Sequence, residues 1–428
     1  MKRWTAVLSV ACCAMLVGAA VAVPNLTSPA PTTQLPQAQA ASKAKPAKPS
    51  KKQLKAFKKA SAKFSLSLFK KSVAKNGKKN TVVAPMSVLT MLALVNNGAS
   101  GKTSTEMRDL LAGGASAKRL DKNLRWFNSQ LTNSKNAKLE SANAIWYRDD
   151  GMVTLKKKFI KANRTYFGAL VEAADFSDPQ TVDRINGWVS DQTNKMIPKT
   201  IDNLDKSTQT VLVNTLYFNA KWADPYAAGS SFKKTFTAAN GKKKKVDMLG
   251  STEHSYISGD GVKGFIKPYK KGYSFVALLP KKGVSLKKFT KQLTGSTFTK
   301  LVKGASQERV ITTMPKLNLS YSDEKMVKLL RKMGMKRVTS QEKANLKKMG
   351  ASKIGNLYLG DVIHKTRLKL DEEGTEAAAV TAGMVKANSA LVTEKPKVVT
   401  LNRPYVFAII DNHTKLPLFV GAVNKVKQ

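Results

Sequence analysis

The sequence predicts a mixed α+β fold in one large domain. Helical periodicity dominates from about Gln53 to Leu139, and extended apolar runs dominate from Thr210 onward. No regular strand–helix alternation links the two halves, which argues against a doubly wound parallel sheet. Size agrees: 428 residues, 42 % of them hydrophobic, with 16 Phe, 10 Tyr and 5 Trp, can fill a sizeable core and exclude a chain disordered throughout. No internal repeat is visible.

The elements follow in order. Phe57, Phe64 and Leu68 form a helical stripe in a segment that starts near Gln53. Thr81 to Ala84 reads as a short strand after the Gly77 turn, and Pro85 opens a helix through Val88, Leu89, Met91, Leu92 and Leu94. Asn143 to Tyr147 is strand-like and Phe159 to Phe167 helical. Val211 to Phe218 is a nearly continuous apolar run, the pattern of a strand covered on both faces. Further strands are expected at Phe265–Pro268, Ser274–Leu279, Val310–Pro315, Lys316–Leu319 and around Phe407 and Phe419. A helix is expected from about Glu324 to Met333, stopped by Gly334.

Two segments precede that domain. Residues 1–22 read as an export signal: Lys2 and Arg3, an apolar run from Trp4 to Ala19, then Ala20-Val21-Ala22 as a cleavage site. A retained membrane anchor is the alternative. Both cysteines, Cys12 and Cys13, lie inside it, so a processed chain has no disulfide, thiol nucleophile or cysteine metal ligand. Residues 23–52 are rich in Pro, Ala and Lys and read as a flexible tether. The folded domain is then expected over 53–428. With 74 basic and 28 acidic residues the net charge is +46, which attracts polyanions such as wall polymers or acidic glycans. Export argues against a genomic nucleic-acid role, and the lysines do not interleave with aromatics as a single-strand platform would need.

A catalytic site is not legible. The three histidines, His254, His364 and His413, stand at no metal-ligand spacing, with His254 and His413 expected in polar turns. HExxH, Gly-x-Ser-x-Gly, Walker and dinucleotide loops are absent. Asp371, Glu372 and Glu373 are consecutive and do not share one side of an element. Neither an enzyme nor a cofactor- or metal-binding protein is expected.

One stretch stands out in this lysine-rich chain: Asp371-Glu372-Glu373-Gly374-Thr375-Glu376-Ala377-Ala378-Ala379-Val380-Thr381-Ala382. Strand period places Thr375, Ala377, Ala379 and Thr381 on one face, all small, with Glu376, Ala378, Val380 and Ala382 on the other. The residues alone leave a helix, a strand or an exposed linker of small residues open; read as a strand, the segment orders with little steric or entropic cost, and Gly374 would allow the chain to turn.

The stretch Glu372 to Ala379 resembles the reactive-loop hinge of the serpins. Asn80-Thr81-Val82-Val83-Ala84-Pro85-Met86-Ser87, Asn143-Ala144-Ile145-Trp146 and Ile185-Asn186-Gly187-Trp188-Val189 also resemble that family. So do Leu212 to Phe218 with Lys221-Trp222, Met314-Pro315-Lys316, Asn402 to Phe407 and Pro417 to Gly421, in order along residues 53–428. The resemblance implies three β-sheets, eight or nine helices and an exposed reactive loop at about 374–398. It implies a secreted, monomeric suicide inhibitor whose cut loop inserts into the central sheet and traps a serine protease as its acyl-enzyme. A non-inhibitory relative that associates with anionic polymers is the alternative.

Residue by residue, the resemblance implies a hinge at Glu372, Gly374, Thr375, Glu376, Ala377, Ala378 and Ala379. It implies a sheet-opening cluster of Ser87, Asn214 and His364, each supplying hydrogen-bond partners to the others, and a breach at Lys221 and Trp222, where insertion begins. Ala84 departs from the pattern, where a serine is usual. Counting from Gly374 as fifteenth before the cut gives Asn388 and Ser389 as the reactive bond. The 30 residues from Gly374 to Pro404 exceed the usual length and allow a shift toward Leu391. Lys386 would suit a trypsin-like enzyme, Ala or Leu an elastase- or subtilisin-like one, and Asn388 an Asn-specific cysteine protease.

Overall fold

Ser50 caps the first helix of the described residues. Its hydroxyl accepts the N–H of Gln53 while the Gln53 side chain accepts the N–H of Ser50, a capping box that nucleates helix α1 (Lys51–Asn76). The helix thus begins before Gln53, and the capping chemistry rather than the apolar stripe sets its start. The computed structural model describes residues 45–131, 134–205, 208–227, 229–259, 261–323, 325–360, 362–375 and 395–426. All of them fall in one compact unit, Pro36–Gln428.

After α1 come β1 (Thr81–Val83), α2 (Pro85–Gly98), α3 (Gly101–Ala112) and α4 (Ala117–Gln130). Then follow β2 (Ala137–Arg148), β3 (Val153–Leu155), α5 (Lys157–Phe167), β4 (Leu170–Ala174), α6 (Pro179–Gln192) and β5 (Thr210–Lys221). The next stretch holds β6 (Phe232–Thr237), β7 (Lys243–Gly259), β8 (Val262–Pro268), β9 (Tyr273–Pro280), α7 (Leu286–Gln292) and α8 (Gly295–Lys303). β10 (Ser306–Pro315), β11 (Leu317–Asp323), α9 (Met326–Met333), β12 (Gly350–Ser352) and β13 (His364–Leu370) lead to the two-residue β14 (Gly374–Thr375). β15 (Lys397–Thr400), β16 (Tyr405–Asp411) and β17 (Pro417–Val423) close the fold.

Nine helices and three sheets are present among the described residues, an α+β architecture as expected. Helical pattern was expected to run to Leu139, but β2 starts at Ala137, where alternation of buried Ala137 and Leu139 with exposed Lys138 and Glu140 fixes a strand. His254 lies within β7 rather than in a turn. The β6–β7 pair was not anticipated, because its lysines (Lys233, Lys234, Lys243, Lys244, Lys245) hide the strand pattern.

A nine-stranded sheet runs β1-β17-β16-β9-β8-β7-β10-β15 with β6 on β7, and the 17-residue β7 joins its two halves. The six-stranded sheet runs β11-β13-β14-β5-β2-β4, and β12 pairs with β3. Each face of the six-stranded sheet has its own core. On one face Trp146 and Val213 meet Ile185, Trp188 and Val189 of α6. On the other, Leu139, Ile145, Phe218 and Ala220 join the main core with α2, which packs on both β5 and β17. This arrangement puts one narrow strand, β14, at the centre of the sheet.

Candidate functional site

β14 is the start of the small-residue stretch, and it lies between two long strands. Thr375 pairs with Ala220 of β5 on one side and Leu370 of β13 on the other, and Gly374 pairs with Lys221. Thr375 is only 1 % exposed, and its hydroxyl shares a 2.6 Å hydrogen bond with that of Tyr269. Burial pushes the Tyr269 hydroxyl up, so it stays protonated. The face assigned to Thr375 by strand period is therefore the core face. Gly374 is required for a reason other than a turn: a Cβ there would stand 2.1 Å from the Ala220 carbonyl oxygen. Close approach of backbone, not a left-handed conformation, selects glycine.

Below β14 the described residues leave β5 and β13 unpaired with each other. A cavity of about 520 Å³ lies there, lined by Val211 to Thr215 of β5, by Ile363 and Lys365 at the start of β13, and by Thr200 to Leu204 after α6. The Thr215 and Thr200 hydroxyls at this cavity have no protein partner. Val211 and Leu212 are consequently only half-buried, although their apolar run pointed to a strand covered on both faces.

The turn before β14 is built to hold it. Asp371 accepts the N–H of Glu373 at 3.2 Å, and the Asp371 N–H donates to Gly374 O at 3.0 Å. Trp222, fully buried, donates its indole N–H to Asp371 O at 3.0 Å and its backbone N–H to Glu373 O at 2.9 Å. Its ring stacks on Tyr269 at 4.3 Å. The Tyr226 N–H takes Glu372 O at 3.0 Å, and Lys316 pairs with the Glu372 carboxylate at 2.5 Å. Lys221 and Trp222 thus border β14 and the turn before it directly, the stretch expected to form the hinge. Glu376, Ala377, Ala378 and Ala379, the expected reactive bond at Asn388 and Ser389, and Leu391, toward which a shift was allowed, lie outside the described residues.

The polar cluster beneath the sheet is brought together in part. Ser87, in the first turn of α2, donates to Asn214 Oδ1, and Asn214 Nδ2 donates to Asn143 Oδ1 at 2.7 Å. Asn143 in turn donates to Phe167 O at 3.1 Å. Asn143 and Asn214 are cross-strand partners of β2 and β5, so both point to the same face. His364 does not share these bonds. Its Nε2 accepts the backbone N–H of Ala84 at 3.2 Å, with Tyr321 beside the ring. Burial pushes His364 down to about 4, the Asp323 charge opposing, which keeps the ring neutral and able to accept. Ala84, which departs from the family's usual serine, thus contacts His364 through its backbone N–H.

Sequence reasoning missed Tyr269, Tyr226, Asn143 and Lys316 as site residues. Asn143 and Lys316 sit in stretches that pointed to the family, but nothing local marks what they touch.

The chain matches the family "Serpin (serine protease inhibitor)" over residues 59–426, and it belongs to that family. It is 30 % identical over 377 residues to a serine protease inhibitor of Cyanea capillata, covering 85 % of this chain and 97 % of that one. An uncharacterised serpin-like protein of Thermococcus kodakarensis is 28 % identical over 374 residues, covering 85 % and 84 %. Among solved structures, the thermophilic serpin Tengpin in its native state aligns with a TM-score of 0.83 at 37 % identity, over 90 % of this chain and 96 % of that one. Its latent state aligns with a TM-score of 0.77 at 36 % identity, over 87 % and 98 %.

Proposed function

We propose that this chain is a suicide inhibitor of serine endopeptidases. The observation that carries the reading is β14: Gly374 and Thr375 pair within the sheet between β5 and β13, with Thr375 seated on the core face and no other ladder between those two strands among the described residues. The small residues that follow on the same face, Ala377, Ala379 and Thr381, suit continued insertion. The higher TM-score to native than to latent Tengpin supports a body in the native-like arrangement. In this reading the protease serine oxygen attacks the carbonyl carbon of Asn388, an ester forms, and the amine of Ser389 leaves. The loop then inserts and drags the tethered protease away before water cleaves the ester. Insertion is driven by ladder hydrogen bonds and burial that the exposed loop lacks, and the uncut fold is kinetically held.

Export through residues 1–22 and retention near an anionic surface through the lysines of 43–59 belong to the same reading. Incubation with trypsin-, chymotrypsin-, elastase- and subtilisin-like proteases, and with an Asn-specific cysteine protease, tests it. An SDS-resistant covalent band is expected, with mass spectrometry placing the cut between Gly383 and Thr393. Cleavage there by every enzyme with no such band overturns it. That outcome favours the second reading, a non-inhibitory polyanion-binding serpin, for which the +46 net charge speaks.

A further inference from the structure

A buried ion pair stands behind the hinge. Lys267 of β8 and Glu253 of β7 meet at 2.8 Å with side chains 2 % and 6 % exposed. The Lys267 ammonium also donates to Asp224 O at 3.0 Å and lies 4.6 Å from the centre of the Tyr226 ring and 5.5 Å from that of Trp222. Glu253 is held in turn by the Ser251 hydroxyl at 2.6 Å, which contacts Thr312 of β10 at 2.8 Å. An ammonium taken out of water is costly unless every N–H finds a partner. Here the partners are one carboxylate, one carbonyl and aromatic faces.

Those partners are the residues that carry the hinge. The Trp222–Tyr226 segment binds the carbonyls of Asp371, Glu372 and Glu373. Tyr269, two residues past Lys267 and bridged to Trp222, binds Thr375. Hydrophobic side chains would fill the space under Trp222 as well, but would not tie Asp224 O to the β7–β8 pair.

We propose that the Lys267–Glu253 pair is a latch: it clamps the Trp222–Tyr226 segment to the large sheet and thereby holds the turn and strand from Asp371 to Thr375 in place. Lys267 is a positioning residue, acting on the loop through Trp222 and Tyr226. The hold on the hinge exists whether or not the loop traps a protease, while its consequence for trapping rests on the inhibitory reading.

Amide hydrogen exchange on the full chain tests the latch, using Lys267→Met and the charge-free pair Lys267→Met/Glu253→Gln. The double variant leaves no unpaired buried charge, so it decides the matter if the single variant does not fold. In both, the amides of Trp222 and Tyr226 should exchange at least about tenfold faster, with β16 unchanged. Heating should also convert both to a loop-inserted form faster than the parent. If exchange at Trp222 and Tyr226 in the double variant matches the parent, Lys267 merely balances Glu253 and the latch is refuted. The same variants should be cut more often without being trapped. A parent that forms no covalent complex would overturn the inhibitory reading, and the exchange result would still judge the latch.

Discussion

Replacing Thr375 by Arg puts a guanidinium where the sheet leaves almost no water. Thr375 is 1 % exposed between Ala220 and Leu370, with Tyr269 against its hydroxyl. The substitution removes that hydrogen bond, worth about 1 kcal/mol. It also demands desolvation of a charge, and two acids of the adjoining turn are already paired, Asp371 with Lys369 and Glu372 with Lys316. An unpaired buried ion costs several kcal/mol, so the hinge should stay out of the sheet. If only ~4 kcal/mol of this is felt in the insertion barrier, insertion slows roughly 1000-fold, and release of the protease by hydrolysis wins. The assay is stoichiometry: inhibitor consumed per protease trapped, with SDS gels for the covalent band and thermal unfolding to show that the body folds. Thr375→Arg should be cut at the same bond as the parent and turned over as a substrate. Retained one-to-one trapping would refute both the placement of Thr375 in the sheet and the insertion mechanism.

Gly374→Ala adds one methyl 2.1 Å from the Ala220 carbonyl oxygen; the hinge should leave the sheet, seen as faster exchange of the Trp222 amide, and unchanged exchange would contradict the close approach. Asp121 is pushed up to about 8 because burial disfavours its charge, the Asn97 side chain opposing. The folded chain therefore keeps a proton that the unfolded chain releases above 3.8, and stability falls as pH rises until about 8. His364 works the other way: the stability it carries is present above 6.5 and lost as pH falls toward about 4. The two trends oppose each other at acid pH, and Asp121 sets the slope from about 6.5 to 8. Tm should decline across that upper window, and Asp121→Asn should flatten the decline; parallel profiles would refute the assignment. Deleting residues 23–49, which spares the Ser50 cap, should weaken salt-sensitive retention on an anionic surface and leave protease trapping intact. Retention unchanged by the deletion or by high salt would count against the tether.

The sequence by itself determined the class of the fold, the order of its main elements and the family. The small residues after Gly374, the Pro85 helix start and the apolar run of β5 each obey a local rule of size or period, and local rules survive in one dimension. Polar and lysine-rich strands such as β6 and the start of β7 did not read as strands, because their stability comes from neighbours that only the fold supplies. The family resemblance named the hinge, Lys221, Trp222 and the Ser87, Asn214 and His364 cluster, and the tertiary structure decided what each of them touches. It seated Thr375 against Tyr269, separated by 106 residues, and joined Ser87 to Asn214 across 127. It sent His364 to the backbone of Ala84 rather than to that pair, and put Lys267 and Glu253 behind Trp222. These contacts depend on which strands lie side by side, and hydrogen-bond partners far apart in sequence leave no periodic trace for a reader of the chain to find.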